Sequence, residues 1–242
     1  MIIRFTLLAL CVLTLGCATG KGDETLQTNS NIKAPATRSE DNEKSLSERQ
    51  FPKDSLYKLL LAEFALRRNF YPIALSSYLE EARILRDSNL SAHTTRVASF
   101  LRERAAAKES AQLWVELNPT DPQANLTLGE ILITSGELLD AIPYLAIAAT
   151  AGKAVNFQEL LKQYENLNSG EKMVIEHELK VLTLKLPENI NLLFTVAILN
   201  QSNGKNKEAL ALLQRILNLN PNHHKSIFKF WLKWGKKHII CT

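Results

Sequence analysis

Three helix-ending prolines set the register of this chain. Pro119 (in ELNP), Pro187 (LKLP) and Pro221 (NLNP) lie 68 and 34 residues apart, and twelve residues before each stand Ala107, Ile175 and Ala209, with Ala141 falling in the same frame. From Asp54 onward the apolar residues follow helical spacing, with few β-branched clusters. A 34-residue helical unit cannot bury its apolar face alone, so consecutive copies must stack on one another.

The copies themselves read as helix-turn-helix units. The clearest is NLTLGEILITSGELLDAIPYLAIAA: Leu128-Gly129, Leu132, Gly136 at the turn, then Ala141, Leu145 and Ala148. The last full copy gives Ala197, Gly204, Ala209, Leu213 and Pro221, and the first gives Leu61-Ala62, Asn69, Ala74 and Tyr78. This pattern resembles the tetratricopeptide repeat, whose unit carries small residues at positions 8, 20 and 27 and proline at 32. Small residues at 8 and 20 let the two helices, A and B, approach closely. Gly or Asn at 15 tolerates the left-handed backbone that ends helix A, and proline at 32 stops helix B. Pro72 and Pro143 are expected in the first turns of helices B, where a missing N–H costs little. The fourth unit fits least well, with Gln163 at position 8 and Ile175 at position 20, although Leu160, Leu161, Leu179, Leu182 and Pro187 keep the phase. The expectation is an all-α fold over residues 55–223, a superhelical array of about five such repeats.

The N-terminus carries an address. Met1 to Arg4 gives a short positive start and Phe5 to Leu15 an apolar run of eleven residues interrupted only by Thr, too short to span a bilayer. Gly16-Cys17 then completes a resemblance to the bacterial lipoprotein signal. That resemblance implies a signal peptide over 1–16, lipid attachment at Cys17 and anchoring at the outer membrane facing the periplasm, since Ala18 rather than Asp follows the cysteine. A soluble secreted protein cleaved near Cys17 and an uncleaved hydrophobic start are the alternatives. Residues 17–54 are dominated by Ser, Thr, Asn, Asp, Glu and Lys and read as a disordered tether.

The formal net charge of +4 suggests a polyanion ligand, but its distribution argues otherwise. Lys225, Lys229, Lys233, Lys236 and Lys237 crowd the last 18 residues, and without them 24 basic residues face 25 acidic ones. Nucleic acid is therefore not an expected partner. Cys11, Cys17 and Cys241 lie at the two ends, so they build neither an internal disulfide framework nor a cysteine metal site.

Candidate chemistry is sparse. His93 and the Glu176-His177-Glu178 run give no pair of ligands at i and i+4, and His223-His224 has no third ligand near it in sequence. No glycine-rich phosphate loop, nucleophile elbow or paired-carboxylate motif is present, so no catalytic residue, metal site or cofactor is assigned and an enzyme is not expected. The repeat resemblance instead implies a groove lined by helix A residues that takes an extended peptide or a helix of a protein partner. Carrying the groove positions across gives Glu63, Leu66 and Arg67 in the first repeat and Arg96, Ser99 and Phe100 in the second. The third contributes Glu130, Ile133 and Thr134, and the last Phe194, Ile198 and Gln201. The Lys and Asn at positions 5 and 9 with which some members clamp a terminal carboxylate are missing.

Residues 224–242 depart from the repeat, because Trp231 falls where a small residue is required. This basic aromatic tail reads as a truncated further repeat, an atypical cap, or a segment that binds a membrane surface or a partner. The functional expectation is a membrane-anchored periplasmic scaffold for protein–protein interaction or envelope-complex assembly. The alternatives are a non-catalytic N-terminal fragment of a longer envelope enzyme and membrane-surface binding through the C-terminal helix.

Overall fold

The computed structural model describes residues 51–229. The expected signal peptide, Cys17, most of the tether and Trp231 lie outside the described residues. Ten α-helices, followed by helical residues 224–229 at the end of the described chain, run with no strand among the described residues: α1 (Ser55–Arg67), α2 (Tyr71–Leu85), α3 (Ser88–Phe100), α4 (Arg104–Leu117), α5 (Pro122–Ser135), α6 (Leu138–Thr150), α7 (Leu161–Tyr164), α8 (Ser169–Lys185), α9 (Ile190–Ser202) and α10 (Asn206–Leu219). A 3-10 turn, Phe157–Leu160, precedes α7. The pairs α1–α2, α3–α4, α5–α6 and α9–α10 are hairpins that pack most extensively within themselves, and α2–α3 and α4–α5 join one hairpin to the next.

Within each hairpin the contact is made through small side chains. Ala62 and Ala74, Thr95 and Ala107, and Ala197 and Ala209 are all buried. At Gly129 a Cβ would sit 2.6 Å from Leu145 Cδ2 and 3.5 Å from the Ala141 carbonyl, so any side chain there requires Leu145 to move. Thr95 is tolerated because its hydroxyl donates to the Ser91 carbonyl at 2.8 Å and meets Ser110 Oγ at 3.0 Å.

Two local devices make the turns. The A-to-B turn passes through one left-handed residue, Asn69 (φ 62°), Arg102 (φ 62°), Gly136 (φ 86°) or Gly204 (φ 74°). In the first three hairpins the N–H of Phe70, Glu103 or Glu137 then reaches back to the carbonyl of Ala65, Ala98 or Leu132 at 2.8–2.9 Å, satisfying helix-end acceptors. The B-to-A turn uses side-chain caps: Asp87, Asp121 and Asn189 accept from Leu90, Gln123 and Leu192 N–H. Pro119, Pro187 and Pro221 each lie two residues beyond a helix B, as expected.

Pro72 occupies the first turn of α2. Pro143 does not follow the expectation: it lies inside α6, in the second turn, because α6 starts at Leu138 directly after the Gly136 turn. Its missing N–H removes one intrahelical bond.

The fourth unit is reduced. Where the other units carry an A helix of 13 or 14 residues, this one has only the 3-10 turn and the four-residue α7. The change comes from Asn168, whose capping box with Glu171 starts α8 at Ser169, only residues 165–168 separating it from α7. Packing compensates for the lost helix. Phe157, Leu160 and Tyr164 are buried in the largest core cluster, which runs from α4 to α9. Gln163, the residue at odds with the repeat pattern, donates Nε2 to the Ile133 carbonyl at 2.9 Å and so caps α5 from the next unit. Glu176 accepts from Tyr164 Oη (2.6 Å), Asn203 Nδ2 (2.8 Å) and Lys205 Nζ (3.0 Å), tying α7 and α8 to the last hairpin. Burial would push the Glu176 carboxyl up, but the Tyr164 and Lys205 hydrogen bonds outweigh it and hold the group below the ordinary carboxylate value. Burial and the Glu176 bond push the Tyr164 phenol to about 12.

The Gly129 contact makes a direct test of the close-approach geometry. Gly129→Val is expected to destabilise the chain by about 1–3 kcal/mol through overpacking against Leu145. Adding Leu145→Ala should recover part of the loss, read as a non-additive double-mutant cycle in urea melts. Additive losses would show that the two residues do not meet.

Candidate functional site

The first three A helices present their outer faces to two adjoining hollows. A cavity of about 740 Å³ lies between α3 and α5, with Arg96 and Ser99 on one wall, Glu130 and Thr134 on the other, and Ala107 and Trp114 of α4 as its floor. A second hollow of about 350 Å³ lies toward α1 and is lined by Leu66, Tyr71, His93, Val97 and Phe100. Arg96 lines both, so the two make one trough across the first three repeats.

The polar groups around the trough are arranged unevenly. Glu63 accepts from Tyr78 Oη at 2.6 Å and lies 3.9 Å from His93 Nε2, while the rings of Tyr78 and His93 meet edge to face at 4.9 Å. Burial, with the Glu63 bond adding to it, pushes the Tyr78 phenol well above the ordinary tyrosine value. Across the cavity, Glu130 is pushed up by burial and further by the charge of Glu159. Arg96, Arg102 and Arg104 all line the cavity, and among the described residues none of the three is in an ion pair. In and beside α2 and α4 the pattern differs: Arg83 pairs with Glu109, Arg86 with Glu116 at 2.6 Å, and Lys108 with Glu137.

No protein-family model matches the chain. A curated TPR repeat-containing protein of Pseudomonas aeruginosa is 30% identical over 164 residues, which cover 68% of this chain and 28% of that protein. The 34-residue hairpins and that relative agree. The chain is a tetratricopeptide repeat protein. It spans little more than a quarter of the length of that curated relative. Among solved tetratricopeptide structures, YrrB, described as having an unusual peptide-binding site, is 14% identical over 73% of this chain and 91% of its own, with a TM-score of 0.43. A Thermus thermophilus TPR protein is 21% identical over 73% and 96%, with a TM-score of 0.40. PilW, a type IV pilus biogenesis factor, is 15% identical over 70% and 79%, with a TM-score of 0.38.

The structure gives the tetratricopeptide groove positions differing surroundings. Leu66, Arg96, Ser99, Phe100, Glu130 and Thr134 line the trough. Glu63 borders it through Tyr78 and His93, and Arg67 is exposed at the end of α1. Ile133 (5% exposed) and Phe194 (3%) are buried and are corrected from groove residues to core residues. Ile133 packs in the main core, with Gln163 of the next unit bonded to its carbonyl. Phe194 is covered by His223, ring to ring at 5.4 Å. Ile198 and Gln201, half-buried on α9, line neither hollow, because the reduced fourth unit interposes no full A helix between α5 and α9.

Two further features were not anticipated from the groove positions. Arg102 and Arg104 reach the cavity from the turn and from helix B; the signal was an arginine at position 15, where the other turns carry Asn or Gly. A third hollow of about 580 Å³ lies between α6 and α8, lined by Ile142, Pro143, Ile147, Val181 and Leu182. His223 lies beside Ser226 Oγ at 2.7 Å, and burial followed by the charges of Lys225 and His224 lowers its pKa. No group of three or more His, Cys, Asp or Glu that could hold a metal ion, and no helix long and apolar enough to cross a membrane, occurs among the described residues.

The raised pKa of Glu130 gives a signed prediction. A carboxyl whose folded pKa lies above its unfolded value opposes folding at pH values above both, and this penalty disappears as pH falls below the unfolded value. Glu130→Gln is therefore expected to raise the melting temperature at neutral pH, with the gain vanishing toward pH 4. An equal gain at both pH values would mean that ionisation of Glu130 is not its source.

Proposed function

We propose that this chain is a non-catalytic scaffold that holds a protein partner in the trough of its first three repeats, anchored through lipid on Cys17 at the outer membrane and facing the periplasm, where it organises an envelope assembly. The observation that carries the reading is the shared Arg96, which joins the two hollows into one uninterrupted surface over α1, α3 and α5. An extended segment or a helix is the ligand shape that follows such a surface. The walls combine apolar area at Leu66, Phe100 and Ile131 with hydrogen-bonding side chains, the mixture that lets a binding site hold and orient a peptide. Support for the anchor is the Gly16-Cys17 signal in the sequence, followed by the polar residues 18–53.

Two measurements test this reading. With a photo-crosslinking amino acid at Ser99 or Thr134 of the full chain, in the cells that make it, a discrete protein adduct is expected that is absent when the same residue is placed at Glu109 on helix B. Equal adducts at all three positions, or none at the trough positions, would remove the trough from the function. Separately, Cys17→Ser is expected to shift the protein out of the membrane fraction, and unchanged fractionation would remove the lipid anchor.

A further inference from the structure

We infer that the cavity between α3 and α5 selects an acidic segment of the partner, whose side-chain carboxylates pair with Arg96, Arg102 and Arg104. The inference rests on the trough reading above and gives it a ligand chemistry.

The first observation is a contrast in how arginines are matched. Arg83 of α2 and Arg86, just past its end, each meet a glutamate of α4. In the cavity three guanidinium-bearing residues from α3, the turn and α4 converge without an ion pair among the described residues. Arginine cannot discharge by losing its proton, so three of them around one cavity repel each other until an anion arrives. The cavity's own acids do not supply that anion: neither Glu103 nor Glu130 forms an ion pair with these arginines, and burial disfavours the ionised form of Glu130.

The second observation is backbone conformation. Arg102 has φ 62°, at the turn position occupied elsewhere by Asn69, Gly136 and Gly204. A left-handed non-glycine residue costs on the order of 1 kcal/mol. A glycine would relieve that cost, yet the chain places there a long cationic side chain that reaches the cavity.

The remaining lining suits a peptide rather than a small anion. Trp114, Ala107 and Ile131 give an apolar floor and flank that strengthen charge-assisted hydrogen bonds by excluding water. Gln123, Thr127 and Thr134 on the far wall offer neutral donors and acceptors to peptide amides. A volume of about 740 Å³ accommodates a segment of a few residues. Positions 5 and 9 lack the Lys and Asn of a terminal-carboxylate clamp, so the acidic groups are assigned to side chains within the segment.

Fluorescence anisotropy with the full 242-residue chain tests this, using a labelled, C-terminally amidated octapeptide of alternating Glu and Ser and its Gln/Ser counterpart. The Glu peptide is expected to bind about tenfold or more tightly than the Gln peptide, and added salt should weaken only the former. The triple variant Arg96→Gln/Arg102→Gln/Arg104→Gln should erase that difference while leaving the Gln peptide unchanged. Arg102→Gly alone separates folding from recognition: its melting temperature is expected to rise while its affinity for the Glu peptide falls severalfold. Equal binding of the two peptides, no binding of either, full affinity in the triple variant, or binding only with a free C-terminus would each overturn the inference. If trough-specific crosslinks at Ser99 and Thr134 persist in any of those cases, the trough reading stands and the acidic chemistry alone fails.

Discussion

Everything in this array depends on how closely helix A approaches helix B. At the crossing the chain places Ala62 against the Ala74 helix, Gly129 against Ala141 and Ala197 against the Ala209 helix, all buried. Around these close contacts Tyr78, Leu128, Leu145 and Leu192 are buried almost completely, Leu145 against Gly129 within its own hairpin. Each hairpin packs most extensively within itself and then meets only its neighbours along the chain, as expected of a quasi-one-dimensional repeat.

The fourth unit shows how far an interface can substitute for a regular repeat. Its A helix is cut short by the Asn168 capping box, yet the seam is filled by Phe157, worth about 1.5–3 kcal/mol when fully buried. Polar groups cross the same seam in both directions: Gln163 reaches back to α5, while Glu176 reaches forward to Asn203 and Lys205. The cost falls on the outer surface, since a four-residue α7 offers no face to continue the trough beyond α5.

Phase was legible in the sequence because it follows from sterics within one unit. The prolines, the alanines at the crossing and the Gly or Asn turns each answer to a backbone requirement, and the hairpins formed where those residues predicted. What was not legible depends on the neighbouring unit. Ile133 and Phe194 occupy groove positions by count, but each is covered by what comes next in the chain, Gln163 in one case and His223 in the other. Leu66 and Ser99 occupy equivalent positions to Ile133 and remain accessible because a regular A helix follows them. Pro143 differs for another reason: α6 starts two residues after Gly136, just as α2 starts two residues after Asn69, and Pro143 lies five residues beyond that start, past the first turn where a proline is free of cost. Arg102 was passed over because the turn rule names the residues that adopt a left-handed backbone cheaply and is silent on one that adopts it at a cost.

That division between unit and neighbour also separates recognition from cohesion along the chain. Cohesion between units 4 and 5 uses charge that is spent on the protein itself, with the Glu176 carboxylate held ionised by Tyr164 and Lys205. The trough, in contrast, keeps its arginines unspent and its Glu130 reluctant to ionise. Matching Arg96 or Arg102 with an internal acid would be an easy gain for the folded chain, as the neighbouring Arg83–Glu109 and Arg86–Glu116 pairs demonstrate. Such surface pairs contribute only about 0–1 kcal/mol to folding, so leaving them unmade costs the fold little. On the proposed reading, the same groups, set beside the apolar side chains of Trp114 and Ile131, would interact more strongly with an incoming carboxylate that shields them from water. On that reading, the arrangement gives up a small amount of stability at the trough, where unpaired charge can do more for a ligand than for the fold.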